Sequence, residues 1–574
     1  MNRILRSLLE DFLKQYELKS QGESVDFEKF VNFSILYKEY SRGFDFEIVR
    51  VGKGDDTGID GLAIIVNGQL IQSKEEIDFL IENNGYLEAK FIFIQSKTSS
   101  HFEGKEIHNF AFGVEDFFSD SPKLRRNKSI QNLAEISDYL FQNASSFRSN
   151  PICKLYYVTT GKLENDDNLN GIKKTVEENL GKTNLFEDIT CNLYGADEII
   201  KAYRASKHKV EANIVFSNRV TLPELPGIKE SYFGILPFKE FKNILIDEND
   251  NLKNIFYDNI RDFQGLANPV NKTIAETLDS DDSKLFTVLN NGITVIANSL
   301  KVSGNKFFIS DYQVVNGCQT SNVIHTFRHK LDPNLGIPIK LIVTDDEEVK
   351  NKIIVATNSQ TSIKREQLKA MTDFQKNLEQ FYKTIEGEGK LYYERRSGQY
   401  QSDSSVIKSR IITIQTQIKS FSSLFLKNPH RVISYFGDLV KQYVEGDSPK
   451  IFNPKHQYLP YYMTGFMYYR LDSFFRSQQI DSKYRKIKFF LIMLFGLMQS
   501  NEFEPLPIKS LSGQKETKRY CNPIIEILNN RNKCLETYKE AIDVWEASGI
   551  DLNDKQVLKQ GSTTNKLIEI LKTK

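Results

Sequence analysis

Cysteine is scarce in this chain, which has five in 574 residues: Cys153, Cys191, Cys318, Cys521 and Cys534, with no C-x-x-C pair among them. An odd, scattered set argues against a disulfide scaffold or a zinc cage and fits a reducing compartment. A long apolar run is also missing. The longest, FFLIMLFGLM at 489–498, falls well short of the roughly 20 residues that span a bilayer and is expected to be a buried helix. Nor is there an excess of one charge, since 76 Lys and Arg stand against 75 Asp and Glu. Nothing global therefore marks the chain for nucleic acid or membrane, although a local patch can hide in a balanced total. The opening MNRILRSLLEDFLKQYEL carries acids early and reads as an amphipathic helix, not a signal peptide. The expectation is a soluble, cytoplasmic protein without a membrane partner.

What is present is periodicity. A chain of this length holds on the order of two to four domains. Helical spacing runs through 1–20 and 26–41, and FDFEIVR (44–50) alternates as a strand would. IDGLAIIV then predicts a strand, NG a tight turn and QLI its return. Ser73 and Glu76 form a capping box that opens a helix. YLEAKFIFIQSK is the most apolar strand of the region, and strands alternating with helices continue to about residue 206. These features predict an α/β domain over 1–206 and an α+β domain over 207–430. A mostly helical region is predicted over 431–574.

Two strand ends carry unexpected polarity. Asp60 heads GIDGLAII, and Gln95 and Lys97 close FIFIQSK. Gln95 and Lys97, two apart, share a strand face, while Ser96 points to the other. If the two strands are neighbours, a carboxylate, an amide oxygen and the Ser96 carbonyl gather at one sheet edge. Such hard oxygen ligands suit Mg²⁺, with Mn²⁺ as the alternative. Lys97 beside them would hold or deprotonate a water for attack on a phosphodiester. Gly58 and Gly61 would let the backbone turn sharply around Asp60.

This arrangement resembles the restriction-endonuclease-like PD-(D/E)xK nucleases, in the glutamine-bearing form known among Mrr-like branches. The resemblance implies that Asp60 matches the strand-start aspartate, Gln95 the variable member and Lys97 the lysine. It also implies a glutamate from the first core helix, for which Glu28 in DFEKFVNF is the candidate, with Glu39 behind it. Glutamine brings no charge, so metal affinity should be weaker than with glutamate. The reading that sets no function on QSK makes it a strand end with solvated polar residues.

The middle of the chain resembles the AIPR family of abortive-infection phage-resistance proteins. Six ordered blocks carry this likeness: IFYDNIRDFQG (255–265), NKTIAETL (271–278), LNNGITVIANSL (289–300), YQVVNGCQTSNVI (312–324), ATNSQTSIKREQLKA (356–370) and LYYERRSGQY (391–400). The family implies a role in phage defence. Within these blocks Asn290, Asn291, Asn316, Gln319, Thr320, Asn358 and Gln360 sit beside apolar strands, where unpaired polar groups are costly. They either close an internal hydrogen-bond network or line a pocket. In the pocket reading, backbone N–H groups with Thr320 or Ser321 would hold a phosphate at the NGCQTS strand-to-helix junction. Arg261, Arg395 and Arg396 would add charge-assisted contacts to a nucleic acid or nucleotide.

From Gln360 to Arg431 the basic residues outnumber the acidic, thirteen to seven, and SPKLRRNKS (121–129) is a second basic stretch. Both suit phosphate-backbone contact, or are simply solvated faces. His325 and His329, four apart, are expected to be exposed helix residues, Cys318 a small buried residue, and Trp545 core. Two functions follow. One is a Mg²⁺-dependent endonuclease cutting invading DNA, or RNA, under control of the middle region, with a nucleotide or phage component as trigger. The other is a non-catalytic sensor or scaffold that binds nucleic acid or nucleotide on a degenerate nuclease fold. A homo-oligomer is compatible with either.

Overall fold

The computed structural model describes the chain from Met1 to Thr573 except residues 41–43, 45, 53, 55–56, 165, 208–209, 248–249, 251, 254, 257–268, 358–361, 396–398, 401–402, 435–438, 440–441, 445–448 and 501–502. It divides into two compact units, Met1–Leu9 with Gln21–Thr361, and Glu10–Ser20 with Ser362–Lys574. The fold is mixed α/β with a helical C-terminal region.

The first unit contains two sheets. Helices α1 (Arg3–Gln15) and α2 (Glu23–Glu39) precede strands β1 (Gly61–Val66) and β2 (Gln69–Leu70), then α3 (Lys74–Asn84) and β3 (Ala89–Lys97). Next come α4 (Gly104–Phe117), α5 (Lys128–Gln142), β4 (Ile152–Thr159), α6 (Asp167–Gly181), β5 (Asp188–Tyr194) and α7 (Ala196–Ala205). The sheet order is β2-β1-β3-β4-β5. β1 runs antiparallel to β2 and β3, whereas β3, β4 and β5 are mutually parallel. The NG turn closes β1 onto β2 with both residues at positive φ, Asn67 at 49° and Gly68 at 71°, as a two-residue hairpin requires. Half of the capping box is made, by the Ser73 N–H donating to Glu76 Oε2 at 3.2 Å.

The predicted strand at 44–50 is not one. Residues 46–49 form a turn, and Arg50 alone bridges to Gly61. Phe44 and Phe46 instead both pack against Phe33 of α2, with ring centroids 5.8 and 6.3 Å away. Burial of aromatic surface against a helix replaced ladder pairing, which alternation alone does not reveal.

Period-two alternation divides the two sheet faces. Leu62, Ile64, Phe91, Phe93 and Leu155 join Ile107, Phe110 and Val114 of α4 and Ile130 of α5 in one core. The residues between them turn toward α2, and there the chemistry changes. The buried Glu39 carboxylate meets Lys90 of β3 at 3.3 Å and Lys154 of β4 at 3.0 Å, and the Tyr156 hydroxyl donates to it as well. Burial works to raise the Glu39 carboxyl, but the two ammoniums and the hydroxyl outweigh it and hold it low.

The second sheet has the order β6-β10-β9-β11-β8-β7, from β6 (Glu211–Val215), β7 (Asn218–Thr221), β8 (Glu230–Pro237), β9 (Ile293–Ser303), β10 (Lys306–Asn316) and β11 (Gly336–Val343). Only its β9–β11 pair is parallel. β7 lacks apolar alternation and was not foreseen.

Among the described residues the second unit is helical with one short parallel strand pair, Tyr392–Glu394 on Ile411–Thr413. Its helices include Ser362–Lys383, Ile414–Phe425, Leu459–Arg476, Lys488–Met498, Gln514–Asn529 and Arg531–Ala547. The FFLIMLFGLM segment lies in the Lys488–Met498 helix and is buried, as expected, and Trp545 is core. Among the described residues no helix is long and apolar enough to cross a membrane.

Removing the Glu39 carboxylate would strand two mostly buried ammoniums. Glu39→Ala is expected to lower unfolding stability by roughly 3–5 kcal/mol, the cost typical of breaking a buried pair. Denaturant titration measures it, and a loss within error would show that the cluster is solvated.

Candidate carboxylate site at the sheet edge

β1 and β3 pair from Gly61↔Ile94 to Val66↔Ala89, so one step beyond the ladder Asp60 comes beside Gln95. The Asp60 N–H continues the pairing by donating to Ile94 O at 2.9 Å. Its carboxylate turns across the strand end, where Oδ2 accepts from the Ser96 N–H at 2.7 Å and the Ser96 hydroxyl at 3.0 Å. Ser96 thus meets Asp60 through two donors. Its carbonyl was the group expected to bind a metal, whereas the contacts to the aspartate are made by its N–H and hydroxyl.

Glu28, from the second turn of α2, reaches the same place. A methyl group placed on Gly52 would lie 3.1 Å from both Asp60 Oδ1 and Glu28 Oε1, so two carboxylate oxygens flank one glycine. Any side chain there would fill the space between them. Glu28 Oε1 also accepts from Arg50 Nε at 2.6 Å. Burial raises the Glu28 carboxyl, the Arg50 bond and charge oppose this, the charges of Asp60 and Glu47 add to it, and the net result is a pKa of about 7. Asn32, one turn along α2, lies over Gly61 with its Oδ1 buried and, among the described residues, unpartnered. Gly61 is therefore needed for close approach, and the positive φ of 76° belongs to Gly58.

Gln95 and Lys97 occupy the α4 face. Gln95 is buried, its amide nitrogen packs against Gly58, and its Oε1 has no hydrogen-bond partner among the described residues. A buried acceptor of that kind is costly and calls for a ligand or water. Tyr157 stands opposite Gln95 on β4. Burial pushes its hydroxyl up, helped by the charges of Glu106, Glu103 and Asp60. Lys97 is half-exposed and pairs with Glu106 at 3.0 Å, a surface contact worth little. The four residues expected at the site thus gather around one sheet edge, Asp60 and Glu28 toward Gly52, Gln95 and Lys97 toward α4. Glu39, the reserve candidate, belongs to the lysine cluster instead. Arg50 escaped sequence reasoning because it sits at the end of a stretch that looked like an ordinary strand.

Among the described residues no group of three or more His, Cys, Asp and Glu side chains could hold a metal. The hard oxygen donors at this edge, of the type Mg²⁺ and Mn²⁺ take, are the Asp60 and Glu28 carboxylates flanking Gly52 and, toward α4, the Gln95 oxygen.

In the second sheet the amide-rich blocks largely satisfy one another. Asn290 Nδ2 donates to Thr320 Oγ1 at 3.2 Å, the Gly292 N–H to Asn290 Oδ1 at 2.9 Å, the Gly317 N–H to Asn316 Oδ1 at 2.9 Å, and Asn271 Nδ2 to Gln319 Oε1 at 2.7 Å. NGCQTS does lie at a strand-to-helix junction, between β10 and the helix Cys318–Phe327, and Cys318 is buried. Asn358, Gln360, Arg261 and Arg396 lie outside the described residues. Arg395, expected to contact phosphate, is half-buried, with its Nε donating to Glu379 Oε2 at 2.6 Å. In the same basic stretch Lys383 pairs with Glu379, Lys390 with Glu386, Arg410 with Glu17 and Lys427 with Glu504. Five of its thirteen cations are thus paired locally among the described residues. His325 is more enclosed than expected. Its Nε2 lies 3.1 Å from Asp250 O, and burial with the nearby Arg328 charge lowers its pKa to about 4.

A mixed five-stranded sheet with acids at one edge, an amide-knotted second sheet and a helical C-terminal part define the class of protein. The family model described as AIPR protein matches residues 256–570, more than half of the chain, and the chain belongs to that family. Membership suggests a part in anti-phage defence. No curated protein and no solved structure matches the chain.

The raised Glu28 carboxyl has a consequence for stability. Between the ordinary value of 4.5 and about 7, the folded chain keeps a proton that the unfolded chain has released. Stability therefore falls as pH rises through that window and levels off above it. Glu28→Gln is expected to flatten this fall, as read from urea unfolding at intervals from pH 4.5 to 8. Parallel profiles for the two proteins would contradict the assignment.

Proposed function

We propose that this protein is a Mg²⁺- or Mn²⁺-dependent endonuclease of anti-phage defence that hydrolyses phosphodiester bonds, DNA being the favoured substrate and RNA the alternative. The observation that carries this reading is the convergence of Asp60 and Glu28 on Gly52, with the unpartnered Gln95 oxygen next in register and Lys97 two residues beyond. Asp60 and Glu28 would hold the cation, with the Gln95 oxygen beside Asp60 in register as the further donor the resemblance implies; when bound, the cation supplies a water of lowered pKa and positive charge on the phosphate oxygens. Asp60 is oriented for this by the two donors of Ser96. Glu28 takes up and releases a proton near neutrality, so cation binding and deprotonation of Glu28 are coupled and activity should rise with pH through about 7. Lys97, released from Glu106, would position the attacking water or stabilise the charge that develops on the phosphate. The AIPR region would sense the trigger, a nucleotide or a phage component, and restrain the nuclease.

A second reading is a non-catalytic sensor or scaffold that binds nucleic acid or nucleotide. It draws on the uncharged Gln95, on the cover that Gly58 provides over it, and on the Arg50 guanidinium that already serves Glu28.

Cleavage of labelled single- and double-stranded DNA and of RNA with Mg²⁺ or Mn²⁺ separates the two readings. Wild type is expected to cut. Asp60→Ala and Lys97→Ala should lose on the order of 10²-fold or more, within the range single catalytic groups contribute. Equal cleavage in all three proteins removes the assignment, and binding without cleavage favours the sensor.

A further inference from the structure

The loop between α4 and α5, residues 118–127, is fixed by its polar side chains, and they fix it beside the carboxylates. Asp116 Oδ1 accepts from the Lys123 N–H at 2.6 Å and the Leu124 N–H at 3.2 Å. Arg126 donates to Asp116 O, stands 3.6 Å from Asp116 Oδ2, and lies over the Phe117 ring. Asn127 works in two directions. Its Oδ1 caps α5 by accepting from the Ser129 and Ile130 N–H groups at 3.0 and 3.1 Å. Its Nδ2 donates to Val51 O at 2.8 Å and Gly54 O at 3.1 Å, on either side of the Gly52 where Asp60 and Glu28 meet.

The cations left over on this segment are Lys123, Arg125 and Lys128. All three are exposed, and among the described residues none makes an ion pair or side-chain hydrogen bond. Asp120 is the one acid between Phe118 and Lys128. A run of solvated charges needs no such anchoring. Here three exposed cations fall within six residues of a segment that Asn127 ties to the backbone on either side of Gly52, while five of the thirteen cations of the 360–431 stretch are ion-paired. Repulsion among them is relieved by a polyanion, and a nucleic-acid strand releases its counterions on binding such a cluster.

We propose that Lys123, Arg125 and Lys128 form the surface that grips the sugar–phosphate backbone of a nucleic-acid strand and delivers it to the Asp60–Glu28 edge. The proposal rests on the nuclease reading for its substrate, but binding can be read without cleavage. Fluorescence anisotropy in chelator, with no divalent ion present, measures the affinity of the full-length chain for labelled single-stranded DNA, double-stranded DNA and single-stranded RNA. The triple variant Lys123→Glu, Arg125→Glu, Lys128→Glu lies wholly on the surface. It is expected to bind at least about tenfold more weakly near 0.1 M salt, with a log–log salt slope shallower by about 2 to 3, since each phosphate contact contributes about 0.7 to 0.9. The probe bound most tightly tells which nucleic acid the loop takes. Unchanged affinity and slope in the triple variant overturn the proposal, as does failure of wild type to bind any of the three probes. Asp60→Asn judges the nuclease reading separately. A chain that never cleaves, yet loses binding in the triple variant, costs that reading and leaves the phosphate surface standing.

Discussion

Everything at the candidate site depends on one backbone constraint, the antiparallel register of β1 on β3. Because Gly61 pairs with Ile94, Asp60 must fall beside Gln95 and its carboxylate must meet the Ser96 donors. A slip of β3 by one residue would exchange its faces, burying Lys90 among the phenylalanines and sending Phe91 and Phe93 toward α2. The dense aromatic core on one face and the Glu39 cluster on the other therefore do more than stabilise the domain. They fix the register that assembles the site.

The two faces also divide the chemistry. Toward α2 the sheet edge carries Asp60, Glu28 and Arg50, a group whose net charge near neutrality is set by whether Glu28 keeps its proton. Toward α4 it carries Gln95, Tyr157 and the Lys97–Glu106 pair. A divalent cation bound between the carboxylates would compete with the Glu28 proton, since both relieve the same crowding of negative charge. The uncharged Gln95 then has a physical consequence: one fewer negative ligand, and a site that relies on Glu28 from the helix.

Much of this was legible in the sequence because it is written locally. Polar residues at the ends of two apolar strands have few structural uses, so Asp60, Gln95 and Lys97 stood out, while Glu28 came forward only through the resemblance to the PD-(D/E)xK nucleases. The NG hairpin and the buried FFLIMLFGLM helix follow from local turn chemistry and apolar run length, whereas the order of strands in the two sheets does not. What escaped depends on partners distant in the chain. Arg50 gains its meaning only from Glu28, and Asn127 only from Val51 and Gly54. Arg395 looked like a free cation in a basic stretch because nothing in a count of charges reveals that Glu379 waits for it. The segment 44–50 alternates like a strand, yet its aromatics found a better burial on Phe33 than any ladder offered. The amides of NNG and NGCQTS were recognisable as polar groups in need of partners, but which amide would serve which could come only from the fold.

The central claim is that Asp60 and Glu28 hold a divalent cation together. Electron paramagnetic resonance of Mn²⁺ titrated into the full-length protein at pH 8 counts bound ions directly, without any nucleic acid. The account predicts a site in wild type that is lost in Asp60→Asn and weakened at pH 6, where Glu28 keeps its proton. Identical Mn²⁺ binding in the two proteins, or none in wild type, would contradict it.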